Sequence, residues 1–127
     1  MKKINFSGEV FAGRGEGKKY IELQWVKKQI QAKLGFTPYP GTLNLKLLKE
    51  SANRRKLLGK AAVLKICASG YCTGSIFKAS IGVLECGVVI PEVEGYPEDA
   101  LEVIASVNLK ETLRLREGDK VTVTVSL

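Results

Sequence analysis

Tyr39-Pro40-Gly41-Thr42-Leu43-Asn44-Leu45-Lys46-Leu47 is the stretch on which the fold turns. From Thr42 onward apolar and polar residues alternate, the pattern of a strand with one face on a core and the other on water. Leu43, Leu45 and Leu47 point inward; Thr42, Asn44 and Lys46 point outward. Pro40 and Gly41 occupy the two central positions of a type II turn, which starts the strand afresh. Upstream the period is different. Val26, Ile30 and Leu34 recur one helical turn apart, Trp25 stands beside them, and Lys27, Lys28, Gln31 and Lys33 take the other face. That predicts an amphipathic helix over 24–34. Gly35 stops it in the left-handed region, Phe36 supplies the apolar contact past the stop, and Pro38 and Pro40 forbid continuation.

Outward from this stretch the chain is mostly extended. Ile4 to Ala12 reads as a strand, broken by Gly13-Arg14-Gly15-Glu16-Gly17. Lys18 to Leu23 resumes an extended pattern, a hairpin signature with a long glycine-rich tip. Residues 48–60 are polar and basic and read as a loop. Strands are expected over Ala61–Ala68, Tyr71–Lys78 and Ile81–Ile90, with Pro91 ending the last. Residues 91–99 form an acidic loop, and Leu101 to Ala105 is extended again. Asn108 to Leu115 makes one short helix, Glu117-Gly118-Asp119 a turn, and Val121, Val123 and Val125 a closing strand. No solenoid-like repeat is visible. One amphipathic helix among so many short strands predicts a mainly β protein, a closed β-barrel rather than a doubly wound sheet.

The whole chain of 127 residues forms a single domain by length. It is 45% hydrophobic and 26% charged, too apolar for disorder. No apolar run approaches the roughly 20 residues of a bilayer span, and Met1 to Gly13 lacks the apolar core of a secretion signal. Both point to the cytoplasm and away from a membrane. There are no histidines, which removes histidine bases, Ser-His and Cys-His pairs, and zinc sites with a histidine ligand. The three cysteines, Cys67, Cys72 and Cys86, form no C-x-x-C; free thiols in a reducing compartment are expected, with a Cys67–Cys72 bridge as the other reading. Residues 1–66 carry 15 basic and 4 acidic side chains, a net +11, while residues 67–127 carry 5 and 9, a net −4. A basic first half suits a polyanionic partner, and equally a solvated lysine-rich surface.

Three groups are candidates for chemistry. The glycines of Gly13-Arg14-Gly15-Glu16-Gly17-Lys18-Lys19 let backbone N–H groups turn toward one anion, with Arg14, Lys18 and Lys19 adding charge. The spacing is not that of a Walker A loop, and a plain hairpin tip would look the same. Thr42 and Asn44 project to one face of their strand, and their neutral oxygens suit Mg²⁺ that also binds phosphates and water. Glu102, in an apolar strand, is placed to accept a hydroxyl proton or to hydrogen-bond a polyol. Both of the latter groups also read as ordinary solvent-facing polar residues.

Together, Gly13-Arg14-Gly15-Glu16-Gly17, the string Leu34-Gly35-Phe36-Thr37-Pro38-Tyr39-Pro40-Gly41-Thr42-Leu43-Asn44-Leu45, Leu101-Glu102-Val103-Ile104-Ala105 and Glu117-Gly118-Asp119 resemble the archaeal CTP-dependent riboflavin kinases. The likeness is strong over residues 8–47, moderate over 88–125 and weak over 48–87. The resemblance implies a six-stranded cradle-loop barrel and transfer of the γ-phosphoryl of CTP to the 5′-hydroxyl of riboflavin, giving FMN and CDP. It implies that Arg14, Gly15, Glu16, Gly17, Lys18 and Lys19 wrap the nucleotide phosphates and that Val107, Asn108, Leu109 and Lys110 face the cytosine nucleotide. Thr42 and Asn44 would hold Mg²⁺. Glu102 would contact the ribityl end of the flavin and orient the reacting hydroxyl, with Glu94 as a second flavin contact. Two positions depart from the family: Glu94 where Thr is frequent, and Asn108-Leu109-Lys110 where Lys-Leu-Arg is frequent. A monomer without specific nucleic-acid binding is expected. The competing reading is a nucleic-acid-binding swapped-hairpin barrel, a transcription regulator, which fits the basic charge and the hairpin at Glu117-Gly118-Asp119-Lys120-Val121. DNA binding has no need of the Thr42/Asn44 pair. A flavin-binding module without turnover is the third reading, resting on Glu94.

Overall fold

A computed structural model describes residues 2–13, 16–61, 64–68, 70–92 and 94–127, without the side chains of residues 16, 17, 71 and 72. Alternation along the strands builds the architecture. In β1 (Lys3–Phe11) every second residue, from Ile4 to Val10, is buried, and β2 (Leu43–Leu47) and β7 (Lys120–Ser126) repeat the pattern. Between them lie β3 (Leu64–Ala68), β4 (Tyr71–Ile81), β5 (Leu84–Pro91) and β6 (Ala100–Ile104). The strands pair antiparallel in the order β3-β4-β5-β6-β2-β1-β7, and β7 pairs back onto β4. That last pairing closes a six-stranded barrel and leaves β3 as an added edge strand outside the ring. A two-residue turn joins β4 to β5, where Gly82 adopts φ 59°.

Two hydrophobic clusters follow from the two faces of the sheet. The inner one holds Phe6, Val10, Leu43, Leu45, Leu101, Val103, Val123 and Val125 inside the barrel. The outer one joins Ile66, Ile76, Val89 and Ile104 to the helices α1 (Glu16–Glu22) and α2 (Gln24–Leu34), which bring Ile21, Val26, Ile30 and Leu34. Gly87 makes room for this docking: a Cβ there would lie 2.5 Å from Leu34 Cδ1. Helix α2 ends as expected, with Gly35 at φ 86° and its N–H bonded to the Gln31 carbonyl. Helices α3 (Lys49–Ala61) and α4 (Leu109–Thr112) add Leu58 and Leu109 to the inner cluster. Among the described residues no helix is long and apolar enough to cross a membrane.

The mainly β barrel stands as the sequence predicts, with four short helices among the described residues instead of two. Lys18 to Leu23 is not extended. It winds into α1 because Ile21 is buried against α2, and Lys18 and Glu22, one turn apart, lie 4.0 Å from each other. Residues 48–60 are not a loop. Helix α3 forms because Ser51, Leu58 and the half-buried Ala52 and Arg55 share one face, docked on β1 with Ser51 Oγ accepting the Ser7 N–H at 2.7 Å. Free thiols are found at Cys86, which is buried, but Cys67 is disulfide-bonded. The turn at Gly70 sets the Cys67 and Cys72 backbones in register across the β3–β4 ladder, in keeping with the bridge that the sequence offers as the other reading.

Candidate active site

The candidate residues gather on the outer face of the barrel wall. In the β2–β6 ladder Asn44 is in register with Glu102, while flanking Leu43, Val103, Leu45 and Leu101 face inward. The alternation that fills the core therefore also sets a polar pair side by side outside it. Thr42, immediately before β2, completes the group: its Oγ1 lies 3.4 Å from Asn44 Oδ1 and 3.3 Å from Glu102 Oε1. The hydroxyl has one proton and two acceptors, so one lone pair stays available to a third partner. Neutral Thr and Asn oxygens beside a carboxylate form a hard-oxygen set of the kind Mg²⁺ accepts, and the residues present fit such an ion.

Glu102 is only 9% exposed. A carboxylate so enclosed needs strong donors, and Tyr96 supplies one, its Oη donating to Glu102 Oε2 at 2.8 Å. Burial, together with the neighbouring carboxylate, pushes the Tyr96 phenol far above its ordinary value, so it remains a protonated donor.

The chain leaving β1 roofs this group. Phe11 is in register with Asn44, and a Cβ on Gly13 would fall 2.2 Å from Asn44 Nδ2. Only glycine lets the backbone pass that close. Arg14 and Gly15 lie outside the described residues, as do the side chains of Glu16 and Gly17; Lys18 and Lys19 are exposed on α1. The glycine loop thus begins against the candidate metal ligands and leads into a helix, not a strand.

A cleft of about 210 Å³ runs between Tyr39–Thr42 on one side and Val107–Lys110 on the other. Its walls are tied together by the Tyr39 N–H donating to the Ala105 carbonyl at 2.7 Å and Asn108 Nδ2 donating to Tyr39 Oη at 3.4 Å. Asn108 also caps α4, its Oδ1 accepting the Glu111 N–H at 3.2 Å. Thr42 belongs to both the oxygen cluster and the cleft, so the fold brings Thr42, Asn44, Glu102 and residues 107–110 together. Glu94 stands apart, exposed at the turn of Glu94 and Gly95.

Two residues escaped the reading of the sequence. One is Tyr96. The other is Arg55 of α3, whose guanidinium lies 5.3 Å from the Tyr96 ring centroid and whose Nη1 donates to the carbonyls of Pro97 at 3.1 Å and Glu98 at 2.8 Å. A tyrosine in an otherwise acidic loop, six residues before Glu102, is the signal that points to the first; nothing local points to the second.

The family model for CTP-dependent riboflavin kinase, described as a domain of unknown function (DUF120), matches residues 10–125. Curated relatives named riboflavin kinase are similar over nearly the whole chain. That of Archaeoglobus fulgidus is 43% identical over 98% of this chain and 55% of its own length. That of Methanosarcina barkeri is 34% identical over 94% and 56%, and that of Pyrobaculum islandicum 39% over 98% and 61%. The chain therefore spans between 55% and 61% of the length of these relatives.

Proposed function

Because the chain belongs to the CTP-dependent riboflavin kinase family, we propose that it transfers the γ-phosphoryl group of CTP to the 5′-hydroxyl of riboflavin, giving FMN and CDP. The observation that carries this reading is the convergence of Thr42, Asn44 and Glu102 oxygens at the mouth of a cleft whose far wall is Val107–Lys110. Phosphoryl transfer asks a protein mainly to position two substrates and to neutralise charge. These residues divide that work.

On the donor side, Val107, Asn108, Leu109 and Lys110 face the cytosine nucleotide in the cleft. The segment Arg14 to Lys19 wraps its phosphates, with the exposed Lys19 ammonium and the Lys18 ammonium, now 4.0 Å from Glu22, turning toward them. Thr42 and Asn44 would hold Mg²⁺, which when bound neutralises the phosphate oxygens. On the acceptor side, Glu102 Oε1 takes the hydrogen bond of the riboflavin 5′-hydroxyl and aims that oxygen at the γ-phosphorus. Its other oxygen is already engaged by Tyr96. The new O–P bond forms as the bond from the γ-phosphorus to the β,γ-bridging oxygen breaks; the hydroxyl proton passes to Glu102 Oε1 and from there to solvent, and CDP leaves. Glu94 contacts the flavin from the exposed turn leading to Tyr96.

Incubation with riboflavin, Mg²⁺ and each of CTP, ATP, GTP and UTP, followed by chromatography of FMN, tests this directly. Product should form with CTP and poorly with ATP. Equal rates with all four nucleotides remove the specificity, and no FMN with any of them removes the kinase.

A further inference from the structure

We propose that Tyr96 is the positioning residue for Glu102 and that Arg55 acts through Tyr96, forming a brace that runs from helix α3 to the acceptor side of the site. The proposal rests on the kinase reading above and names residues that set the geometry of that reaction without touching its substrates.

The need for a brace follows from where these groups sit. Glu102 is fixed by its strand only as far as Cβ; its carboxylate still turns about the side-chain bonds. The Tyr96 hydroxyl, 2.8 Å from Oε2, removes that freedom and leaves Oε1 on the side of Thr42, where the acceptor hydroxyl belongs. Tyr96 in turn lies in the connection between β5 and β6, outside the sheet ladder. Arg55 supplies what the ladder does not. Its guanidinium covers the Tyr96 ring at 5.3 Å, and its Nη1 donates to the carbonyls of the next two residues, Pro97 and Glu98. A cation on an aromatic face and a planar guanidinium on two carbonyls fix both the tilt of the ring and the path of the chain beneath it. The far end of the brace is anchored. Leu58, one turn beyond Arg55 on α3, is fully buried in the barrel core, and Ser51 accepts the Ser7 N–H of β1. Helix, loop, phenol and carboxylate thus form one continuous mechanical path.

Tyr96→Phe keeps the ring beneath Arg55 and deletes only the hydroxyl. Riboflavin phosphorylation is measured on the full chain with CTP and Mg²⁺, well below the melting midpoint. For Tyr96→Phe, kcat should fall about tenfold or more, the size of effect that misplacing a reacting group produces. The KM for CTP should stay within about twofold, because the nucleotide side is untouched. Arg55→Lys replaces the planar group over the ring by a compact ammonium that ends about one bond short of where Nη1 meets the two carbonyls, and should lower kcat in the same way. The decisive measurement is the double variant Arg55→Lys/Tyr96→Phe. If Arg55 works through Tyr96, the double loses no more than Tyr96→Phe alone. Losses that multiply overturn the path from Arg55, and Tyr96→Phe at wild-type kcat overturns the brace while leaving the kinase standing. A wild-type chain that makes no FMN removes the kinase reading and the brace with it.

Discussion

Leu43 and Asn44 are adjacent in the chain and belong to opposite faces of one strand, which makes them a matched pair for separating core from site. Leu43→Ala opens a cavity among buried neighbours and should cost about 2–5 kcal/mol of stability, with activity retained at low temperature. Asn44→Ala should leave the thermal midpoint nearly unchanged and abolish FMN formation, raising the Mg²⁺ demand of any residual turnover. Wild-type turnover by Asn44→Ala across a Mg²⁺ titration would show this face to be plain surface. Cys86 offers a pH signature. Burial pushes its thiol from 9.0 up to about 11, so the unfolded chain ionises first. Its contribution is complete below pH 9 and is lost as the pH climbs toward about 11. In Cys86→Ala that part of the alkaline decline should vanish; identical midpoint-versus-pH curves for the two proteins would refute the assignment. Thr42, Asn44 and Glu102 were legible in the sequence because a period of two puts their side chains outside while their neighbours fill the core. Tyr96 was not, since its role depends on how an irregular connection folds back over β6, and no periodicity encodes that.

Helices α1 and α3 show where local pattern runs out. Both bury so little that their apolar stripe is hardly a stripe: among the described side chains, Ile21 with the half-buried Tyr20 in one case, Leu58 with the polar Ser51 in the other. Tertiary docking rather than amphipathicity makes them helical. Helix α2 was legible for the opposite reason, having Val26, Ile30 and Leu34 in line and Gly35 to end it. It also does something its pattern does not announce. Strand β3 is an edge, and the Gln29 amide of α2 pairs with both backbone groups of Cys67, donating Nε2 to the carbonyl at 2.7 Å and accepting the N–H on Oε1 at 2.8 Å. Lys33 Nζ does the same for the Lys65 carbonyl. A helix thus occupies the edge that another strand would seek. Gln29→Ala leaves a backbone donor and acceptor without these partners and should cost about 1–3 kcal/mol. Amide exchange at Cys67 should accelerate while β1 and β7 stay protected; unchanged exchange at Cys67 would mean that the clamp carries no weight.

At the scale of the whole molecule, the net +11 of residues 1–66 predicts contact with DNA through phosphates alone. Binding should be weak, blind to sequence and steeply reduced by salt, as read by fluorescence anisotropy across a salt series. A sequence-selective complex at physiological salt would favour the regulator reading instead. The barrel class was legible from the number of short strands, but the order in which they meet was not, because pairings such as Asn44 with Glu102 join residues distant in the chain. That order bears on how the protein is made. Strand β7 leaves the ribosome after the other six, and among the described residues it is the strand that joins β1 to β4. Until it emerges, β1 and β4 both wait with open edges, the kind of surface on which nascent chains associate. Closure is consequently a late event for this barrel, governed by contacts between residues as far apart in sequence as Lys3 and Ser126. Topologies of that kind fold in about milliseconds to seconds, a window in which chaperone capture of the unclosed barrel competes with completion of the ring.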